Sequence, residues 1–181
     1  MVIDITIMTA FLNTLDMTLG VDSLADPTRL LAWLRHRSFA TLEDPSIQDV
    51  AWAIEFREAL REFVSGNSGA APSGAAVEIV ARASRTTSFR LEFSQRGGVI
   101  LAPIGSGLEA AVASVLTAVH AAMAAGTWSR NKTCRNPECR LAFYDRSRNR
   151  SGIWCEMATC GNRMKARRFR ERKVAGGYSL G

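Results

Sequence analysis

Histidine is scarce in this chain: of 181 residues only His36 and His120 are histidine, and neither stands beside a nucleophile or a second candidate ligand. A lone histidine on a helix is ordinarily structural, so neither is given a role. No glycine-rich phosphate loop is present, which removes the commonest nucleotide-binding pattern. Without such constellations no enzymatic activity is expected. A secretory leader is also missing, since Met1 to Gly20 carries Asp4 and Asp16 where such a segment has a basic start and an unbroken apolar run. The Ala-rich run Leu108 to Ala125 contains Glu109 and His120 and is closed by Gly126, so no membrane span is expected. There is no internal repeat. The expected location is the cytoplasm, a reducing compartment in which thiols stay free and clustered cysteines are metal ligands more often than disulfides.

What is present suits a folded protein. Hydrophobic residues make up 47% and charged residues 22%, enough apolar surface to bury a core. The formal net charge of +6 conceals an asymmetry. From Thr127 to Gly181 fourteen basic residues stand against four acidic ones, or +10, while the remainder carries nine against thirteen, or −4. The positive charge belongs to the C-terminal third, the distribution expected of a nucleic-acid-binding appendage on a neutral to acidic body.

Along the body, Phe11, Leu12, Leu15 and Leu19 fit one face of a helix within Met1 to Gly20. Asp26-Pro27 is a strong helix opening leading into Leu30, Leu31 and Leu34, and Asp44-Pro45 repeats the device ahead of a wide apolar stripe ending near Ser65. Ser65 to Gly74 reads as a loop, and Ala75 to Ala83 as a short helix. Then the period becomes two. Phe89, Leu91 and Phe93 alternate with Arg90 and Glu92, Gly97-Gly98 supplies a turn, and Val99 to Ala102 returns as a second strand stopped by Pro103. Such a lone hairpin needs helices over one face. Ser106 and Glu109 have capping-box spacing at the head of a helix running to about Ala125 and ended by Gly126.

The cysteines fall as Cys134-x4-Cys139-x15-Cys155-x4-Cys160, two close pairs separated by a spacer. Each close pair forms a hooked loop bringing two sulfurs to one side of a metal, and the spacer brings the pairs together; this is the layout of a tetrahedral structural Zn²⁺ site, with an iron–sulfur cluster as the alternative. Four thiolates leave no position for substrate. The metal is therefore expected to fold the module, with a binding energy of roughly 10–16 kcal/mol in place of a large core. Leu141 to Asp145 and Gly152 to Cys155 read as two short strands joined by the turn Arg146 to Ser151, and the residues after Thr159 read as a helix. On it Arg163, Arg167 and Arg170 share a face, with Lys165, Arg168, Arg172 and Lys173 around them. Together with Arg146, Arg148 and Arg150 these are the candidate nucleic-acid contacts, and Asn162 is a candidate either to cap backbone or to read an adenine edge.

Cys160-Gly161-Asn162-Arg163, with Phe143-Tyr144-Asp145, Ser147-Arg148-Asn149, Trp154-Cys155, Met157 and the basic run, resembles the CGNR-type zinc finger over about forty residues. Phe11-Leu12-Asn13-Thr14 and Leu24-Ala25-Asp26-Pro27 followed by Leu30, Leu31, Trp33 and Leu34 resemble the ABATE domain that precedes this finger. The resemblance implies a bacterial, stress-linked transcription regulator with a C-terminal DNA-binding finger. Gly152-Ile153 departs from it, standing where many relatives are basic, so weaker phosphate binding is expected at that tip.

The expected fold is α+β: a mainly helical domain with one β-hairpin over residues 1–126, a linker at 127–132, a treble-clef-like zinc finger with a short hairpin and basic helix over 133–173, and a tail at 174–181. The expected function is DNA binding by the finger, with the N-terminal domain sensing a signal or pairing subunits through the Ala-rich helix. A homodimer follows from that pairing, and a small ligand between helices and hairpin is the sensing alternative. RNA binding is the second reading, because phosphate contacts do not separate the polymers, and a zinc-structured protein-interaction module is the third.

Overall fold

The computed structural model describes residues 5–69, 71–93, 95 and 97–176. Residues 177–181 of the expected tail, and the start of the first segment at 1–4, lie outside them. The fold is α+β. Helix α1 (Ile5–Leu12) is followed by a minimal hairpin, β1 (Leu15–Asp16) with β2 (Val21–Asp22), and not by the longer helix read through Leu19. The reason is local: the Thr14 hydroxyl donates to the Phe11 carbonyl at 2.7 Å, and the Asp16 carboxylate accepts from the Thr18 and Leu19 amides, turning the chain at Gly20 with φ 66. Leu19 is left exposed.

Helix α2 (Pro27–His36) starts as expected, Asp26 accepting from Arg29 N at 2.9 Å. Helix α3 (Ile47–Gly66) does not start at Asp44-Pro45. Its cap is Ser46, in a full capping box with Asp49, while Asp44 lies near Arg35 on the surface. Helix α4 (Gly74–Thr86), capped by Ser73, runs longer at its C-terminal end than the reading allowed.

Strands β3 (Ser88–Phe93) and β4 (Val99–Ile104) pair antiparallel, and β4 continues through Pro103 instead of stopping there. Both strands of a two-stranded sheet are edges, where a missing N–H is tolerated. Helix α5 (Gly107–Ala124) begins without the expected capping box, for Ser106 makes no side-chain cap bond. A tertiary contact replaces it, the Ala40 carbonyl accepting from Gly107 N at 2.5 Å.

The core joins Phe11 and Leu12 of α1, Leu30 and Leu34 of α2, Phe56, Leu60 and Val64 of α3, and Val112 and Val115 of α5. By length and composition α5 could cross a membrane, and one face of it, Ala111, Val112, Ala113, Val115, Ala118 and Ala122, is buried inside this chain.

Residues 127–132 are not a free linker. A 3₁₀ turn at Trp128–Arg130 leads into β5 (Asn131–Thr133), which pairs with β6 (Ala142–Tyr144). The expected pairing of Leu141 to Asp145 with Gly152 to Cys155 is absent; the hairpin encloses the first cysteine pair, and residues 145–156 form a loop. A single π turn, Met157–Gly161, then opens helix α6 (Asn162–Gly176), as read from the basic run.

Candidate metal centre and basic surface

β5 delivers Cys134 and β6 leads away from Cys139, with Cys134 N donating to the Leu141 carbonyl at 2.8 Å. Asn136, fully buried, shapes the turn between them. Its carbonyl accepts from the Cys139 and Arg140 amides at 2.9 and 3.1 Å, and its side-chain oxygen from Glu138 N at 3.2 Å. Its amide nitrogen reaches Cys160 Sγ at 3.6 Å, tying the first cysteine pair to the second. Sequence reading missed Asn136; its one visible signal was a turn-forming residue directly before Pro137 inside the first pair.

The four Sγ atoms lie within 4.8 Å of one another, with Cys139–Cys155 and Cys155–Cys160 both 3.7 Å apart. A tetrahedral ion bound at about 2.3 Å places neighbouring sulfurs about 3.8 Å apart, so the donor set has the size and softness that Zn²⁺ requires. As free thiols, burial pushes Cys139 up to about 11. Burial, and then its thiol neighbours, push Cys155 higher still. At Cys160 burial also acts upward, but the Asn136 amide and the neighbouring sulfurs outweigh it and hold the thiol below its usual value. A cation bound among the four would supply the charge compensation that burial otherwise denies.

Behind the metal site lies a buried ion pair. Lys132 Nζ donates to Asp145 Oδ2 at 2.7 Å, the two side chains being 5% and 3% exposed. Lys132 also donates to the carbonyls of Arg150 and Gly152, while Asp145 accepts from Ser147 N and Gly152 N, both at 2.9 Å. The basic loop is thus wrapped around a fixed charge pair. Gly152 is demanded by this arrangement, since a Cβ there would come 2.7 Å from Asp145 Oδ1. A basic side chain at that position would displace the carboxylate.

The Cys160-Gly161-Asn162-Arg163 signature resolves into separate tasks. Gly161 lets Met157 lie against the backbone, since a Cβ there would meet Met157 Sδ, so that this side chain would have to move, and would lie 3.1 Å from Trp154. Asn162 Nδ2 donates to the Ala158 carbonyl at 3.1 Å, satisfying backbone in the π turn. Arg163 points to solvent. Also exposed are Arg146, Arg148, Arg150, Lys165, Arg168, Arg170, Arg172 and Lys173. Of these, Arg150 donates to Ser129 Oγ and Lys173 lies 5.7 Å from the Phe169 ring, while none has an acidic partner among the described residues. Arg167 differs, facing Glu171 at 3.0 Å and Glu138 at 3.7 Å.

The finger is docked on the body by groups that composition did not single out. Asn13 pairs with the backbone of Ala142 as a strand would, donating to its carbonyl at 2.9 Å and accepting its N–H at 2.7 Å. Arg61, 2% exposed, donates to the carbonyls of Leu12 and Arg140. Asn67 Nδ2 donates to the carbonyls of Trp128 and Asn131. Arg57 holds the adjoining turn, donating to Asp22 at 2.7 Å and to Thr14 at 3.2 Å.

Two family models match the chain. ABATE, described as "Putative stress-induced transcription regulator", covers residues 7–130, and the CGNR zinc finger covers residues 130–173. No curated protein matches it. The finger match and the sulfur geometry together assign the four-cysteine cluster to zinc.

Proposed function

The chain belongs to the ABATE family, and on that premise we propose that it is a transcription regulator that binds duplex DNA through the basic surface of its CGNR zinc finger. The observation that carries this reading is the set of exposed cations without acidic partners on α6 and on the 146–150 loop, both mounted on the zinc-bound scaffold. Arginine and lysine presented without counter-charges meet phosphate oxygens and release condensed counterions, the main source of DNA affinity. In this reading zinc fixes the loop and the start of α6 and takes part in no reaction. Asn162 is occupied with backbone, so sequence preference falls to the exposed arginines, with the bidentate fork of Arg163 at the first turn best suited to a guanine edge. The ABATE domain senses a signal or pairs subunits, and the protein works in the cytoplasm, where cysteines remain reduced for the metal.

Selection of bound sequences from random duplex DNA, beside a random RNA pool at the same salt, tests the reading. Enrichment of related duplex sequences is expected. Enrichment from the RNA pool alone would make the finger an RNA-binding module, and enrichment from neither would favour an acidic protein partner.

A further inference from the structure

The β3–β4 register sets Phe89, Leu91 and Phe93 opposite Pro103, Leu101 and Val99, so these six apolar residues share one face of the hairpin. Helices cover this face only in part: Phe89, Leu101 and Pro103 are half-buried, while its far end stands open. Leu91, Phe93 and Val99 are 61%, 76% and 52% exposed. Part of the same face forms one wall of a cavity of about 710 Å³, with Val99, Leu101 and Pro103 opposed to Thr117, Ala118 and Ala121 of α5. That volume falls in the range of small-molecule sites, roughly 300–1,000 Å³.

Among the lining residues Arg37 carries the one fixed charge. Arg37 and His36 close the cavity at the end of α2 and His120 does so on α5, while no aspartate or glutamate lines it. Arg37 has no acidic partner among the described residues.

We propose that this cavity binds a small organic acid, its anionic head held by Arg37 and its apolar body lying between the hairpin face and α5. The proposal gives a ligand class to the sensing role assigned above and rests on that role only for its biological meaning. Ala124 and Ala125, at the end of α5, line the cavity and lead through the Trp128–Arg130 turn to β5, so the ligand lies against the helix that carries the finger.

The test uses the zinc-loaded full chain without DNA, titrated with the fluorescent dye anilinonaphthalene sulfonate. Saturable binding of one dye per chain is expected, displaced by octanoate but not by octylamine, which has the same chain length and the opposite charge. Arg37→Ala, at an exposed position, should weaken octanoate about fivefold with the thermal transition unchanged. Ala121→Phe should fill the cavity and remove displaceable dye. Equal competition by octylamine, or dye binding that never saturates, overturns the proposal. So does light scattering that shows a pair of chains which Ala121→Phe dissociates without affecting the dye, since a second copy would then be the occupant. Failure here leaves the finger's DNA binding untouched, and failure of DNA binding leaves a positive result here standing.

Discussion

The Asp145 carboxylate, 3% exposed, accepts from Lys132, Ser147 and Gly152, and these contacts tie the loop between the cysteine pairs to β5. Burial alone would raise its pKa, but the hydrogen bond from the Lys132 ammonium and those from Ser147 and Gly152 outweigh it and hold the carboxyl well below the usual range. A depressed folded-state pKa contributes stability that is present above the unfolded value, near about 4, and is lost as pH falls toward the folded value. Asp145→Asn keeps the shape but leaves Lys132 buried and unpaired, which should cost about 3–5 kcal/mol in chemical denaturation at neutral pH. The gap from wild type should narrow as pH falls below about 4, where the carboxyl of the unfolded chain takes up a proton while the folded one still resists it. Asn162 supports a second expectation. Since its amide serves the Ala158 carbonyl, Asn162→Ala should lower finger stability by about 1 kcal/mol and leave the selected DNA sequence unchanged. A changed preference with an unchanged melting curve would instead make Asn162 a base reader.

Element by element, legibility followed the length of the signal. Helices α2, α3, α4 and α5 carry several turns of periodic apolar residues, and the cysteine spacing stated the metal site outright. The finger's strands span three residues each, too short for a period, so the sequence pattern pairs Leu141 to Asp145 with Gly152 to Cys155, whereas the partner of β6 is β5. Likewise the stop at Thr14 depends on one hydroxyl and one Asx turn, which a four-residue apolar pattern cannot reveal. The docking role of Asn13, legible only as part of the ABATE-like motif, and of Arg61 was hidden for another reason: both reach backbone carbonyls or amides, and no side-chain pattern encodes those partners. Asn13→Ala would leave the Ala142 N–H and carbonyl at the interface without partners, at a cost of about 1–3 kcal/mol. Hydrogen exchange should show the loss as faster exchange in β5 and β6 with α2 unaffected.

For the whole molecule, the body and the finger share packing as well as charge segregation. Ala142 of β6 belongs to the main hydrophobic core, and Arg61 on α3 and Asn67 just past its end hold the finger's backbone. Chelation should therefore release one zinc per chain and unfold the finger, while the body keeps a cooperative transition at a lowered melting temperature. Serine at Cys139 or Cys155 should reproduce that result; an unchanged melting temperature would mean that the interface contributes nothing.

The central claim, that exposed cations of the finger bind duplex DNA through its phosphates, is tested most directly by affinity for one selected duplex measured between 50 and 200 mM salt. With four to six phosphate contacts the log–log slope should lie near about −4 to −5, a loss on the order of 10²–10³ over that range. Arg163→Ala and Arg170→Ala should each flatten the slope by about one unit. Arg167→Ala should flatten it less, because Glu138 and Glu171 already offset that charge. An affinity indifferent to salt, or a slope unchanged by removing Arg163 and Arg170 together, would contradict the account.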